Sequence, residues 1–289
     1  MELKRLGPST TSLPAIGLGT SNYTGEVEAL RIGIEHGACL IDTAEIYGTE
    51  EIVGKAVRGR RDRIFLATKV APRHFRRRDL IAAAEGSLRR LGTEYIDLYQ
   101  LHWPNYRVPI EESMGAMEEL VDAGKVRFVG VSNFSASELK AAQAATSSVR
   151  IVSNQVRYSL IDRTVEEGLL RYCRLNQILI IAYSPLGTGL QQIQARDREG
   201  ALARLADTSQ KTCAQIALNW LIAKQNVVAI PRASDAKHVV ENCEASGWRL
   251  SDEEYRSLDE KIQCKRRGKI GSALRRWKRY FAQSVGRQL

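Results

Sequence analysis

Short, almost continuously apolar stretches recur along the chain, and stretches with helical spacing of apolar positions separate them. The apolar stretches are short and rich in β-branched residues, which is typical of parallel strands covered on both faces. They are "PAIGLGT", "CLIDTA", "RIFLATKV", "YIDLYQLHW", "VRFVGVSN", "IVSNQVRY", "LIIAYSPL" and "VVAIPRA". The pattern therefore predicts a sheet of parallel strands, one for each stretch.

Helical patterns fill the intervals between these strands. "RRDLIAAAEGSLRRLG" and "IEESMGAMEELVDAG" end on glycines that can terminate a helix, Gly92 and Gly124. Thr49 is a candidate N-cap for "TEEIVGKAV", and Ser135 with Glu138 has the spacing of a capping box. Eight strands that alternate with helices predict an α/β protein with the fold of a (β/α)8 TIM barrel.

Both ends of the chain extend beyond this barrel. "LKRLGPSTTSLPAI" predicts a small N-terminal β-hairpin at the bottom of the barrel. No repeat or linker divides the remainder, so we expect one barrel domain over residues 1–263 and a separate tail over 264–289. A doubly wound sheet is disfavoured, because the chain has no G-x-G-x-x-G after its first strand.

Positive charge is concentrated in the tail. Residues 264–289 contain nine lysines and arginines and no acidic residue, so residues 1–263 carry only +1 of the total net charge of +10. As a helix, the tail would place Ile270, Leu274 and Trp277 on one face, away from its arginines. We expect this face to pack on the barrel. Two other interpretations stay open: a cationic lip that favours acidic or phosphorylated carbonyls, or docking on a membrane, nucleic acid or protein.

Composition otherwise predicts an ordinary globular protein. No apolar run approaches the ~20 residues that span a bilayer, and "MELKRLGPST" lacks the apolar core of a signal peptide, so we expect a cytoplasmic location. The five cysteines are odd in number and include no C-x-x-C pair. This pattern indicates reduced thiols rather than a disulfide framework.

Polar residues interrupt three of the predicted strands near their C-terminal ends. Asp42 lies in "LIDTA", Lys69 in "LATKV" and His102 in "YQLHW", and Tyr47 follows on the loop after Asp42. A lone aspartate there would be a cap for the next turn. Because the active sites of such barrels form where the strands end, we expect these four side chains to meet at one mouth. Lys69 would then compensate the buried charge of Asp42.

Such a group is suited to acid–base chemistry. A lysine charge about 4 Å from a phenol favours the phenolate by roughly 4 kcal/mol at an effective dielectric constant near 20. We therefore expect Lys69 to lower the pKa of Tyr47, with burial opposing the shift, so that Tyr47 acts as a general acid or base. Asp42 would hold Lys69 in place, and His102 would position a substrate carbonyl.

These residues lie in stretches whose order and spacing resemble the aldo-keto reductase family along essentially the whole barrel, in a short-loop, prokaryotic-type form. The stretches are "IGLGT", "IDTAEIYGTEEIVGKA", "TKV", "LGTEYIDLYQLHWP", "VRFVGVSNF", "NQVRYSL", "AYSPLG", "QIALNWLIAK" and "IPRASDAKHVVEN". The resemblance implies that Asp42, Tyr47, Lys69 and His102 form a catalytic tetrad. In such a tetrad, Tyr47 would protonate the oxygen of an aldehyde or ketone while a nicotinamide cofactor gives hydride to its carbon.

The resemblance also implies a cofactor bound without a Rossmann fold. Ser132, Asn133 and Gln155 match the positions that hold the nicotinamide carboxamide, and Tyr183 matches the ring that stacks on the nicotinamide. Alone, Ser132 and Asn133 would also suit a helix cap. The matched cofactor positions are Gly19, Thr20, Ser132, Asn133, Gln155, Tyr183, Ser184, Leu186, Arg232, His238, Glu241 and Asn242.

The residues matched to the adenosine end of the cofactor depart from the family pattern. Arg232 stands where the family usually has lysine, and either cation can bind a 2′-phosphate. His238 and Ala233 stand where many members have an arginine and a hydroxyl, which weakens phosphate recognition. We expect NADPH as the cofactor, with some use of NADH.

The substrate pocket departs as well, because Ser21 stands where many relatives have a tryptophan. The pocket candidates are Ser21, Tyr23, Phe75 and Trp103. Trp103 could instead be a core residue. The loops after the fourth and seventh strands look short, which predicts an open pocket that tolerates many small aldehydes and ketones.

Three other functions compete with a reductase, one of them a surface- or nucleic-acid-binding protein that uses the tail. A nicotinamide-binding sensor or regulatory protein with slow or no turnover is the main alternative, since potassium-channel β-subunits resemble the same family. A metal-dependent hydrolase is disfavoured, because the four histidines show no ligand spacing. We therefore expect a small-molecule carbonyl substrate and no metal.

Overall fold

The strands of the protein, a computed structural model of which describes residues 1–265, form a small hairpin and a large parallel sheet. They are β1 (Leu3–Arg5), β2 (Ser12–Pro14), β3 (Leu18–Gly19), β4 (Leu40–Asp42), β5 (Phe65–Val70), β6 (Ile96–Leu101), β7 (Val126–Ser132), β8 (Ile151–Arg157), β9 (Leu179–Tyr183) and β10 (Val227–Ile230). Strands β3 to β10 pair in parallel with their neighbours in chain order. Backbone hydrogen bonds from Gly17 to Ala229 and from Gly19 to Pro231 join the first strand to the last. The predicted (β/α)8 barrel is confirmed.

Helices cover the outer face of the barrel. In the helix over residues 77–91, Leu80, Ala84 and Leu88 are buried at helical spacing. Gly92 and Gly124, with φ of 63° and 70°, follow two of the helices, as predicted. The helices are α1 (Val27–Glu35), α2 (Glu50–Val57), α3 (Arg77–Leu91), α4 (Ile110–Asp122), α5 (Ala136–Ala144), α6 (Leu169–Leu175), α7 (Leu190–Gln194), α8 (Ala201–Thr208), α9 (Cys213–Ile222), α10 (Ala236–Cys243) and α11 (Asp252–Lys261).

The predicted N-caps have different outcomes. Ser135 and Glu138 form both hydrogen bonds of a capping box at the start of α5. Thr49 occupies the N-cap position of α2, but its side chain does not cap the helix. Its hydroxyl is hydrogen-bonded to the hydroxyls of Thr20 and Thr43 instead, so it joins two neighbouring barrel strands. The expectation of a side-chain cap at Thr49 is therefore wrong.

The N-terminal hairpin, β1 paired antiparallel with β2, closes the bottom of the barrel. Leu6 and Leu13, at the end of the hairpin, are fully buried. They pack in one cluster with Leu40, Phe65 and Leu179 from the barrel strands. The hairpin thus covers apolar side chains at the N-terminal ends of the strands, as the sequence predicts.

After α11 the chain stays on the barrel surface to the end of the described range. Ile262 pairs with Asp197, and Lys265 pairs with Asp162. The rest of the predicted basic tail, residues 266–289, lies outside the described residues. The five cysteines form no disulfide. Among residues 1–265, none of the helices is both long enough and apolar enough to cross a membrane.

Candidate active site

The side chains inside the barrel are apolar near its bottom and polar near its mouth. Side chains two positions apart on a strand point the same way. Leu40 lies in the apolar cluster, whereas Asp42, on the same strand, lies at the mouth; Leu98 and Gln100 repeat this change on β6. We name the lower set Leu40, Phe65, Ala67, Leu98, Leu179 and Ile181 the apolar layer, and the upper set Asp42, Lys69, Gln100 and Gln155 the polar layer.

A buried ion pair forms the centre of the polar layer. The Nζ of Lys69, which has no exposed surface, donates to Asp42 Oδ1 at 2.6 Å and to the carbonyl of Thr43 at 2.7 Å. The other carboxylate oxygen of Asp42 accepts from Gln155 Nε2 at 2.7 Å and from Gln100 Nε2 at 3.4 Å. Both charges are therefore paired and hydrogen-bonded, which burial requires. Gln155 becomes linked to the ion pair as well.

Tyr47 stands above this pair, on a 3₁₀ turn that follows β4. The Nζ of Lys69 lies 5.0 Å from the centre of the Tyr47 ring. Burial raises the pKa of Tyr47, and the charge of Lys69 offsets only part of that rise. The expected lowering of this pKa is therefore wrong, because desolvation outweighs the Coulomb effect. Tyr47 holds its proton at neutral pH, which is the form a general acid needs.

His102 is a neutral partner of Tyr47. Burial, followed by the charge of Lys69, lowers the pKa of His102 to about 2. Its Nε2 lies 3.3 Å from the hydroxyl of Tyr47, while its Nδ1 is buried without a hydrogen-bond partner in the described chain. A proton on Nδ1 would leave an unsatisfied buried donor, so the tautomer with the proton on Nε2 is favoured. The ring of Trp103 stacks on the imidazole, with centroids 3.8 Å apart, and fixes its plane.

Sequence reasoning missed Glu45, which holds the turn that carries Tyr47. One Glu45 carboxylate oxygen accepts from the backbone N–H of Ala71, just after β5, at 2.5 Å and from Nδ1 of His74 at 3.1 Å. The Tyr47 turn is thereby tied to the end of the strand that carries Lys69. Gln100 was missed too. It lies two positions after a buried apolar residue on the same strand, and this spacing could have identified it as an inward-facing side chain.

A second hydrogen-bond network lies across the mouth. The Tyr183 hydroxyl donates to Asn133 Oδ1 at 2.9 Å, and Asn133 Nδ2 donates to Ser132 Oγ at 2.9 Å. Ser132 Oγ in turn donates to the backbone carbonyl of Gln155 at 2.9 Å. Asn133 has a left-handed backbone with φ of 64°. The structure thus brings together the residues that the sequence assigns to the nicotinamide.

A cavity of about 570 Å³ opens over both networks. Its wall contains Tyr47, His102 and Asp42 of the predicted tetrad, with Lys69 buried beneath. The predicted cofactor positions in its wall are Gly19, Ser132, Asn133, Gln155, Tyr183, Ser184, Leu186 and Arg232. It is also lined by residues that sequence reasoning missed: Asn22, Arg157, Pro185, Gly187, Thr188, Gly189, Leu190, Ile230 and Pro231.

The remaining predicted cofactor positions lie outside the cavity wall. Thr20 is fully buried, and its hydroxyl donates to the backbone carbonyl of Asp42 at 2.9 Å. His238, with Glu241 and Asn242, lies on α10. His238 Nδ1 lies 2.5 Å from a carboxylate oxygen of Asp235, the N-cap of that helix.

Two of the predicted pocket residues reach the cavity and two do not. Ser21 and Trp103 line it. Tyr23 is buried, and its hydroxyl donates to the backbone carbonyl of Glu26 at 2.8 Å. Phe75 is 1% exposed and packs in the core between the barrel and its helices. Tyr23 and Phe75 are thus fixed by local packing away from the cavity.

The charges around the cavity suit a polyanionic ligand. Arg157 and Arg232 line it. Asp42, the one carboxylate in the wall among residues 1–265, is neutralised by Lys69. His102 carries no charge at neutral pH. The hydrogen-bond donors in the cavity wall, together with the aromatic ring of Tyr183 and the two arginines, fit a nicotinamide dinucleotide. Among residues 1–265, no group of three or more His, Cys, Asp or Glu is arranged to hold a metal ion.

Comparison with known proteins gives consistent matches along most of the chain. A family model described as "Aldo/keto reductase family" matches residues 15–263. Methylglyoxal reductase YeaE from Escherichia coli (strain K12) is 39% identical over 258 residues, covering 86% of this chain and 90% of that protein. The structure of the thermostable aldo-keto reductase Tm1743 with the inhibitor epalrestat has a TM-score of 0.84 and 42% identity, covering 90% of this chain and 99% of that one. An aldo-keto reductase from Klebsiella pneumoniae in complex with NADPH has a TM-score of 0.81 and 38% identity, covering 92% and 98%.

Proposed function

Because the chain belongs to the aldo/keto reductase family and is an NAD(P)H-dependent oxidoreductase, we propose that it reduces small aldehydes and ketones to alcohols with NADPH. One observation carries this proposal. The protonated phenol of Tyr47 lies 3.3 Å from a neutral imidazole and above a buried Lys69–Asp42 pair, at the mouth of a cavity. This arrangement supplies two hydrogen-bond donors to one carbonyl oxygen.

The four residues then have distinct roles in the reaction. When bound in the cavity, a reduced nicotinamide would supply the hydride for the carbonyl carbon. The Nε2–H of His102 and the hydroxyl of Tyr47 hydrogen-bond the carbonyl oxygen and fix its position. As negative charge develops on that oxygen, Tyr47 donates its proton. The charge of Lys69 stabilises the phenolate that remains, and Asp42 keeps Lys69 charged and in place.

The cofactor is held, in this proposal, by the opposite side of the mouth. Gln155 donates to Asp42 through Nε2, and its Oε1 makes no hydrogen bond within residues 1–265. That oxygen would accept from the nicotinamide carboxamide, beside Ser132 and Asn133. The ring of Tyr183, held by its hydrogen bond to Asn133, would stack on the nicotinamide.

The residues proposed to bind the adenosine end of the cofactor support NADPH, with some use of NADH. Arg232 donates one N–H to the backbone carbonyl of Asn22 at 2.7 Å and keeps other donors for a 2′-phosphate. Asp235 and His238 follow on the next turn and helix. A carboxylate there disfavours a 2′-phosphate and suits a ribose 2′-hydroxyl. NADPH remains the proposed main cofactor, as bound in the Klebsiella relative.

Small 2-oxoaldehydes are the substrates we propose first. The relative from Escherichia coli is a methylglyoxal reductase. In this chain the small hydroxyl side chain of Ser21 lines the cavity near Tyr47. This wall leaves room beside the reacting carbonyl and offers a donor to a second oxygen.

The basic tail is separate from this catalytic unit in our proposal. Among residues 1–265, the lining residues of the cavity lie between positions 19 and 232. A chain that ends at residue 265 is therefore expected to reduce the same carbonyls with the same kcat as the full chain. A loss of turnover on this truncation would make the tail part of the site.

The test of the proposal is NADPH oxidation, followed by absorbance, with methylglyoxal, propanal, benzaldehyde and a 2-oxo acid. We expect turnover with the aldehydes, one alcohol formed per NADPH consumed, and slower turnover with NADH. Tight binding of NADPH without turnover of any carbonyl would contradict a reductase and favour the sensor interpretation.

A further inference from the structure

We infer that Arg157, a cation on the rim of the cavity, binds the diphosphate of the dinucleotide. The sequence pattern does not reveal this residue. The inference rests on the proposed function, because it requires a dinucleotide in this cavity. It adds a cofactor contact from β8, beside the expected contact of Arg232 with the 2′-phosphate.

The strand geometry directs Arg157 toward the cavity. On β8, the side chain of Gln155 points into the barrel, where it donates to Asp42. Arg157 is two positions further and therefore points to the same side, one step nearer to solvent. It is paired in register with Tyr183 on β9, and its guanidinium carbon lies 5.7 Å from the centre of the Tyr183 ring. Arg157 thus lies beside the ring proposed to stack on the nicotinamide.

No carboxylate of the described chain pairs with the charge of Arg157. Within residues 1–265, no carboxylate lies within 4.0 Å of its guanidinium, and the residue is exposed. Arg163, which follows shortly after β8, shows the contrast. It is buried and paired with Glu166 at 3.0 Å and with Asp259 at 2.9 Å. An arginine that lines a cavity and has no carboxylate partner is available to an anionic ligand.

The position of Arg157 favours an anionic group of the cofactor, rather than of the substrate, as its ligand. Tyr47, the proposed proton donor, follows β4, which is four strands from β8 and therefore across the eight-stranded barrel from it. His102 follows β6, two strands from β8. Next to Arg157, the cavity wall continues through the segment 184–190. Gly187 and Gly189 in this segment have φ of 71° and 149°, so the backbone there can lie close to a ligand. A diphosphate is the anionic part of a dinucleotide nearest to its nicotinamide ribose.

Equilibrium binding of NADPH and NADH to the full chain, followed by nicotinamide fluorescence, tests the inference. We expect Arg157→Gln to weaken both dinucleotides by the same factor, about 10- to 100-fold, since both contain the diphosphate. Arg157→Lys should restore part of the affinity. Arg232→Gln should weaken NADPH much more than NADH. Arg174→Gln, which removes the same charge from an exposed position on α6, should change neither.

Each other outcome overturns the inference. Unchanged dinucleotide affinity with a raised KM for a 2-oxo acid would assign Arg157 to a substrate carboxylate. A loss confined to NADPH would assign it to the 2′-phosphate, and an equal loss in Arg174→Gln would reduce the effect to net charge. A wild-type chain that binds neither dinucleotide would refute the proposed function itself, which distinguishes that failure from the failure of the Arg157 inference.

Discussion

The two layers of the barrel interior lie on the same strands and differ in what they contribute. Leu98 and Gln100 on β6, like Leu40 and Asp42 on β4, are separated by one residue and are all buried. The apolar layer gains stability from burial, at about 25 cal/mol per Å² of apolar surface. The polar layer places a charged pair where desolvation opposes it, and such a pair is weak evidence for stability. The layers therefore divide stability from chemistry.

The largest effect is expected from breaking the ion pair of the polar layer. Lys69→Met would leave Asp42 charged, buried and without its cation. We expect a loss of about 3–5 kcal/mol in the free energy of unfolding. Carbonyl reduction should also disappear, because no charge stabilises the Tyr47 phenolate. Urea unfolding and NADPH oxidation measure the two effects.

A double variant separates these two consequences. Asp42→Asn combined with Lys69→Met removes both charges, so most of the lost stability should return. Turnover should stay absent, since the cation is still missing. If the double variant is as unstable as Lys69→Met alone, the polar layer has a structural role that we have not assigned to it.

A cavity created in the apolar layer should have the opposite effect: stability should fall while turnover is retained. Leu98 is fully buried and lies just below Gln100. We expect Leu98→Ala to lower the free energy of unfolding by about 2–5 kcal/mol. Turnover per folded molecule should remain near the wild-type value well below the melting temperature, and Leu98→Met is the volume-conserving control. A collapse of kcat in Leu98→Ala at such temperatures would show that the layers are not separable.

A smaller effect is expected from His102 and depends on pH. Its pKa of about 2 in the folded protein lies far below the value near 6.5 of an unfolded chain. Between these values the unfolded chain binds the extra proton, so stability is fully present above pH ~6.5 and declines as the pH falls. From pH 6.5 to 4.5 the loss should be about 2–3 kcal/mol larger in the wild type than in His102→Gln. Parallel urea-unfolding curves for the two proteins at both pH values would contradict this.

The smallest effect is expected outside both layers, at Asp235. Asn at this position keeps a helix cap but removes the carboxylate near the proposed binding site of the adenosine end of the cofactor. We expect Asp235→Asn to raise the affinity for NADPH about two- to fivefold relative to NADH, with turnover and unfolding unchanged. Asp235→Ala is the control for the cap. Fluorescence titration measures the ratio, and an unchanged ratio would mean that Asp235 does not influence the choice of cofactor.

Local pattern predicted the barrel well because apolar strand stretches, helical spacing and glycine caps are local signals. The position of Asp42, Lys69 and His102 near strand ends was enough to bring them to one mouth. Glu45 and Arg157 were missed, since nothing in their immediate sequence distinguishes them from exposed charges. The contacts of Glu45 and the proposed role of Arg157 depend on register and on contacts between distant parts of the chain.

The protonation state of Tyr47 could not be obtained from the sequence for a different reason. Lys69 lowers its pKa and burial raises it, so the sign depends on how two opposing effects compare. That comparison needs the depth of the phenol and its distance from the ammonium group. The Thr49 side chain is similar, because a competing partner on another strand decides whether it caps the helix.

Single-turnover hydride transfer in Tyr47→Phe tests the central role most directly. The variant is loaded with NADPH, mixed with methylglyoxal and followed by nicotinamide absorbance, with NADPH affinity and unfolding measured beside it. We predict that the rate falls by about 10²- to 10⁴-fold, because the proton donor is gone. Cofactor affinity and stability should stay close to those of the wild type. A rate near the wild-type value, with NADPH bound and the fold intact, would contradict Tyr47 as the general acid.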